Sequence, residues 1–211
     1  MNWMGYRLPT LYALPVYVVV WLAIDGSFIY STFAEAQAVS WMLPNSLQLA
    51  AWGLAIPTFA TIGVIRGISS ALGEEIGGRG FLLPRLTGRF GFTLGCTISG
   101  FIWALWHYPR DSVGGYDAAT PKTVALVCFT LMVVADSFIL GWLRLKSGSL
   151  WPCAILHASH NLFIQHIFDA MTAQTGTAVY LTGEFGAGMI LTTAAVAIWL
   201  WTRRGELPAR A

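Results

Sequence analysis

Two adjacent glutamates interrupt an otherwise apolar stretch in Gly73-Glu74-Glu75-Ile76-Gly77-Gly78-Arg79-Gly80. Ionisable groups at bilayer depth are costly, so each is a functional candidate by default. Glu75 and Arg79 are four residues apart, so on a helix they share a face and can pair. Glu74 is rotated about 100° from that face and is left as an unpaired carboxyl. A carboxylate withdrawn from water is a usable general base, able to take a proton from a water molecule. The alternative is an interfacial turn whose charges reach lipid headgroups. The glycines at 73, 77, 78 and 80 are expected to let neighbouring helices approach closely.

Two further segments carry polar groups of the same kind. His107 ends the apolar run Phe101–Pro109, and Pro109 is expected to break the helix just beyond it. Alone, a histidine at a helix end is more often an interfacial residue than a catalyst. In Leu156-His157-Ala158-Ser159-His160-Asn161, His157 and Asn161 share one face, while His160 lies about 60° to the other side of His157. Counted from the starts of their segments, His107 lies roughly 18 Å and His157 roughly 12 Å along helices running in the same direction. Modest tilt brings them level, so one intramembrane site is geometrically possible. Asp25 and Asp136 also fall in apolar segments and are read as buried residues with structural hydrogen bonds. Asp111 and Asp117 belong to a solvated loop. His166, Asp169 and Glu184 lie near segment ends and carry no site signal. Cys96, Cys128 and Cys153 are scattered within apolar runs, without CxxC spacing, and are read as packing residues.

The elements that must position these groups are membrane helices. Of 211 residues, 56% are hydrophobic and 10% charged, against about 25% charged in soluble domains. A soluble domain could not cover so much apolar surface with so few charges. A net charge of +2 gives no footprint for nucleic acid. The 20-residue span rule places apolar segments at 10–33, 48–66, 92–108, 122–143, 150–168 and 186–202, with a less apolar seventh at 69–86. No segment alternates like a barrel strand. The expectation is a single all-α integral membrane domain over 1–211, a polytopic transmembrane helical bundle of six or seven helices. The N-terminal apolar run is read as a retained span rather than a signal peptide. The basic clusters Arg85/Arg89, Arg144/Lys146 and Arg203/Arg204/Arg210 place the C-terminus in the cytoplasm whether 69–86 is re-entrant or crosses fully.

In their order, EExxxR (Glu74, Glu75, Arg79), an aromatic-xxx-His (Trp103 to His107) and HxxxN (His157 to Asn161) resemble the motifs of the CPBP family. This is the group of CAAX proteases and bacteriocin-processing enzymes, also called Abi proteins. The stretch ILGWLRLKSGSLWPCAILHASHN is similar to the family's third-motif region throughout, and the resemblance covers about residues 48–168. It implies an intramembrane endopeptidase in the cell membrane, in which Glu74 and His107 activate a water and His157 and Asn161 stabilise the oxyanion. Glu75 and Arg79 would hold the site together. Two residues depart from the family pattern: Trp103 stands where Phe is usual, and Gly78 where an aromatic often precedes the arginine. Both would reshape the substrate groove. The implied substrate is a peptide or protein, prenylated at its C-terminus or carrying a leader, presented from membrane lipid. No cofactor is implied, and a metal site of Glu74, His107 and His157 stands as the alternative to a metal-free mechanism. Catalytic zinc uses three protein ligands, often two of them in HExxH, which is absent here; Asn161 is a poor zinc ligand. The competing functional classes are a catalytically silent scaffold or bacteriocin-immunity protein, and a proton-coupled transporter using buried Glu, His and Asp as a relay.

Overall fold

The computed structural model describes residues 1–40, 56–113 and 120–208, the side chains at 37–40 and 110–113 excepted. These residues form an all-α bundle. Helix α1 (Asn2–Ala23) is followed by α2 (Tyr30–Ser40). A long helical run starting at Ile56 contains α3 (Val64–Glu75), a π-helical stretch Ile76–Leu82 and α4 (Leu83–Val113). After it come α5 (Lys122–Ser147), α6 (Trp151–His160), the π-helical continuation Asn161–Phe168, and α7 (Ala187–Thr202). Among the described residues, Asn2–Ala23, the run Ile56–Pro109 and Lys122–Ser147 are long and apolar enough to cross a membrane, and Ala187–Thr202 is a shorter apolar helix. Their outward faces carry exposed Leu22, Ile65, Trp106 and Leu191, the surface a helix presents to lipid.

The run from Ile56 is a hairpin. At Gly91 the backbone takes φ 83° and ψ 170°, a region open in practice only to glycine. The chain reverses there: a Cβ at Gly95 would fall 2.7 Å from the Thr87 nitrogen. Residues 74 and 103 touch through a hydrogen bond, whereas in a straight helix they would be roughly 43 Å apart. The two arms therefore pack antiparallel, and α4 beyond the kink lies against α5 with Gly100 backed onto Val134. On the other side α6 packs parallel to α1, where Gly5 meets Pro152, and antiparallel to α3, where Gly67 meets Ala158. Small residues at these crossings let backbones approach closely.

Several expectations change. The segments 48–66 and 69–86 are not separate elements: residues 56–90 form one helical run, and residues 48–55 lie outside the described part. Gly67, the one turn-favouring residue between 66 and 69, stays helical against Ala158, so the helix runs on there. The first span is 2–23 rather than 10–33, because Gly26 at φ 72° turns the chain before α2. Asp25 is exposed in that turn, not buried. Gly73, Gly77 and Gly78 do not admit a neighbouring helix, since nothing lies within 4 Å of a Cβ placed on any of them. The close approaches use Gly5, Gly67, Gly100 and Gly141 instead. Cys96 and Cys153 are buried free thiols, and Cys128 is half-buried. Asp117 and Arg210 lie outside the described residues, as does the side chain of Asp111.

Candidate active site

Glu75 is fully buried at the end of α3, and its Oε1 accepts from Arg79 Nη1 at 3.1 Å and faces His157 Nδ1 at 3.0 Å. A carboxylate only accepts, so His157 Nδ1 carries the proton and Nε2 is the nitrogen left for the cavity. Arg79 is held further by Ser137 Oγ at 3.5 Å, and its guanidinium lies 3.8 Å from the centroid of the Trp103 ring. Its carbonyl accepts from Arg144 Nε at 3.1 Å, which ties the π-helical turn to the end of α5. Arg79 sits inside Ile76–Leu82 and Asn161 opens Asn161–Phe168, so two of the three π-helical stretches among the described residues carry site residues, the third being Phe59–Gly63. Such wide turns occur disproportionately at functional sites.

Glu74 points the other way, with its side chain 41% exposed. It is not unpartnered: Trp103 Nε1 donates to its Oε2 at 3.0 Å. The same oxygen lies 3.9 Å from His107 Nε2, a separation one water can bridge. His107 Nδ1 contacts the Trp103 carbonyl at 3.0 Å. A carbonyl cannot donate, so Nδ1 bears the proton and Nε2 is left to accept one.

These groups surround a cavity of about 110 Å³ whose wall includes Glu74, Trp103, His107, His157 and Asn161. A second, apolar groove of about 460 Å³ runs along Gly73, Gly77, Gly78, Leu82, Ile102 and Trp106, with Glu74 and Trp103 again in its wall. Glu74 thus stands between a polar cavity and an apolar groove. The glycines form the groove's floor, so the small residue before Arg79 widens it.

The structure also brings in residues that sequence reasoning set aside. Glu184 is buried, and its Oε1 contacts His160 Nε2 at 3.0 Å and accepts from Gln165 Nε2 at 2.8 Å. Burial works against ionisation of Glu184, but its bonds to His160 and Gln165 hold the carboxyl below its ordinary value. His160 Nδ1 meets the Tyr12 hydroxyl at 2.6 Å and Asp136 Oδ2 at 3.6 Å. His160, Asp136 and Glu184 all reach the cavity wall, but both nitrogens of His160 are engaged. Asp169, the acceptor of the Tyr17 hydroxyl at 2.6 Å, is pushed up to about 7 by burial, against the lowering effect of that bond. Neither acid had a periodic signal, because each sits in a connection and meets its partner across the bundle. His166 is exposed, in keeping with its lack of signal.

A metal fits these residues poorly. Among the described residues no three His, Cys, Asp or Glu side chains are grouped to hold an ion.

An all-α membrane bundle with a Glu–Arg–His cluster beside a Glu–His pair belongs to the class of helical membrane proteins built around an intramembrane polar site. Residues 52–163, just over half of the chain, match the family of type II CAAX prenyl endopeptidase Rce1-like proteins. The chain belongs to that family of membrane proteases. No curated protein and no solved structure matches it.

Proposed function

We propose that this protein hydrolyses a peptide bond in a membrane-held, CAAX-type substrate, using a water activated by Glu74 and His107. The observation that supports it best is the facing pair Glu74 Oε2 and His107 Nε2, 3.9 Å apart at the mouth of a polar cavity. Glu74 takes a proton from the water, and the resulting hydroxide attacks the scissile carbonyl carbon. The Asn161 amide N–H donates to the developing oxyanion, joined by His157 Nε2–H when that ring carries a proton on both nitrogens; losing one such donor costs about 10²–10³ in rate. The proton then passes to the leaving nitrogen as the C–N bond breaks. The apolar groove on the other side of Glu74 suits the substrate's lipid group or apolar residues, so water and substrate arrive from opposite sides.

The mechanism needs no metal. In proteoliposomes, a farnesylated CAAX peptide carrying a fluorophore and quencher is expected to be cleaved, and faster than the same peptide without its lipid or a leader peptide. Exhaustive chelation, with metal content measured in the same sample, is expected to leave the rate unchanged. Loss of activity on chelation that returns with zinc would overturn the metal-free reading, and no cleavage of any of these peptides would overturn the protease reading.

The protein lies in the cell membrane with its basic end toward the cytoplasm. Arg85, Arg144 and Arg203 gather at that end: Arg144 contacts the Arg79 carbonyl and the Trp142 indole contacts that of Arg203. Arg7 joins them, because Gly5 packs on Pro152 at the start of α6. Positive charge concentrates on the cytoplasmic side. A reporter fused after Ala211 is expected to stay protected in intact cells, and its labelling from outside would reverse this orientation.

A further inference from the structure

Trp103 stands where the family pattern has Phe, and the indole adds to that ring a second fused ring and an N–H donor. That donor reaches Glu74 Oε2 at 3.0 Å, on the same oxygen that faces His107. Glu74 is short of other restraint, with two-fifths of its side chain exposed. The indole, by contrast, is fixed from several sides. The Arg79 guanidinium covers its face at 3.8 Å, and His157 meets it edge-on with centroids 5.4 Å apart. The Trp103 carbonyl also takes the Nδ1 proton of His107 at 3.0 Å. One residue therefore orients the carboxylate through its side chain and the imidazole through its backbone.

We propose that Trp103 is a positioning residue, whose indole N–H holds the Glu74 carboxylate in register with His107. The inference rests on Glu74 being the base that activates water. Without the donor, the carboxylate rotates freely about its terminal bonds and the water it shares with His107 loses a fixed place. A misplacement of about 1 Å can cost about 10²-fold in rate. A two-ring side chain without the N–H keeps the packing of the indole, so the donor and the ring can be separated experimentally.

The test uses the full chain in proteoliposomes with the farnesylated CAAX peptide as probe. Trp103→Phe is expected to lower kcat by about tenfold to a hundredfold with KM within about twofold. Benzothienylalanine at position 103, which keeps the two-ring shape and lacks the N–H, is expected to show the same loss. A kcat within twofold of wild type in both variants, with Glu74→Gln inactive, overturns the proposal. A second readout does not depend on catalysis. With 15N-labelled tryptophan in detergent, Glu74→Ala is expected to shift the indole resonance of Trp103, assigned by its disappearance in Trp103→Phe. An unmoved resonance also overturns the proposal. Wild-type protein inactive on every peptide overturns the function proposed above, and the shifted resonance would then show that the bond exists apart from it.

Discussion

Glu74→Gln is expected to abolish peptide cleavage, lowering kcat by about 10³-fold or more, while the protein folds as before. The substitution keeps the shape of the side chain and leaves an amide oxygen to accept from Trp103 Nε1. What it removes is the capacity to take a proton, and general base catalysis contributes about 10²–10⁴-fold. Folding is spared because the Glu74 side chain is 41% exposed and takes no part in the buried Glu75–Arg79 pair. The measurement is initial rate on the farnesylated peptide beside thermal unfolding in the same detergent. His107→Ala should fall in the same range, because the water then loses its second acceptor. Retention of a tenth of wild-type activity in Glu74→Gln would remove Glu74 from the mechanism and transfer the burden of proton removal to another cavity residue.

Much of this site was legible before the structure, and the reason is periodicity. Glu75 and Arg79, like His157 and Asn161, are spaced so that helical geometry alone sets them on common faces. Segment order then supplied the third element, His107, whose depth follows from counting residues. The structure places Glu74, His107, His157 and Asn161 around one cavity. What the pattern could not carry was anything decided by backbone exceptions or by connections. Gly91 is one glycine among many in the sequence, yet its φ of 83° folds 56–113 into a hairpin. That reversal is what sets Trp103 against Glu74. Glu184 has no periodic partner, and its contact with His160 depends on how the segment before α7 returns to the bundle. The indole of Trp103 was visible only as a departure from Phe, a change that looked like one of groove shape rather than of hydrogen bonding.

Arg79→Met is expected to destabilise the protein by about 3–5 kcal/mol, the cost of breaking a buried ion pair from one side. Arg79 and Glu75 are both essentially inaccessible, and the guanidinium is the cation that Oε1 of Glu75 meets at 3.1 Å. Removing it leaves Glu75 facing only His157 through that oxygen, while Oε2 has no hydrogen-bond partner among the described residues. Methionine fills much of the space and can still lie on Trp103, so lost packing is a small part of the effect. Glu75→Gln in the same background should recover part of the stability, because no uncompensated carboxylate then remains in the core. Coupling between contacting residues of this kind is typically about 0.5–3 kcal/mol. Cleavage, however, should not recover in the double variant. His157 would keep an amide oxygen at Nδ1 but lose the carboxylate that fixes its ring, and its Nε2 would no longer be held toward the oxyanion position. Unfolding midpoints of the wild type, both single variants and the double variant in mixed micelles give the cycle, and peptide cleavage by each gives the activity. If Arg79→Met unfolds at the wild-type midpoint, the pair is not what holds α3 and the π-helical turn against α5 and α6. If the double variant regains stability and full activity together, Glu75 serves packing alone and His157 is positioned by something else.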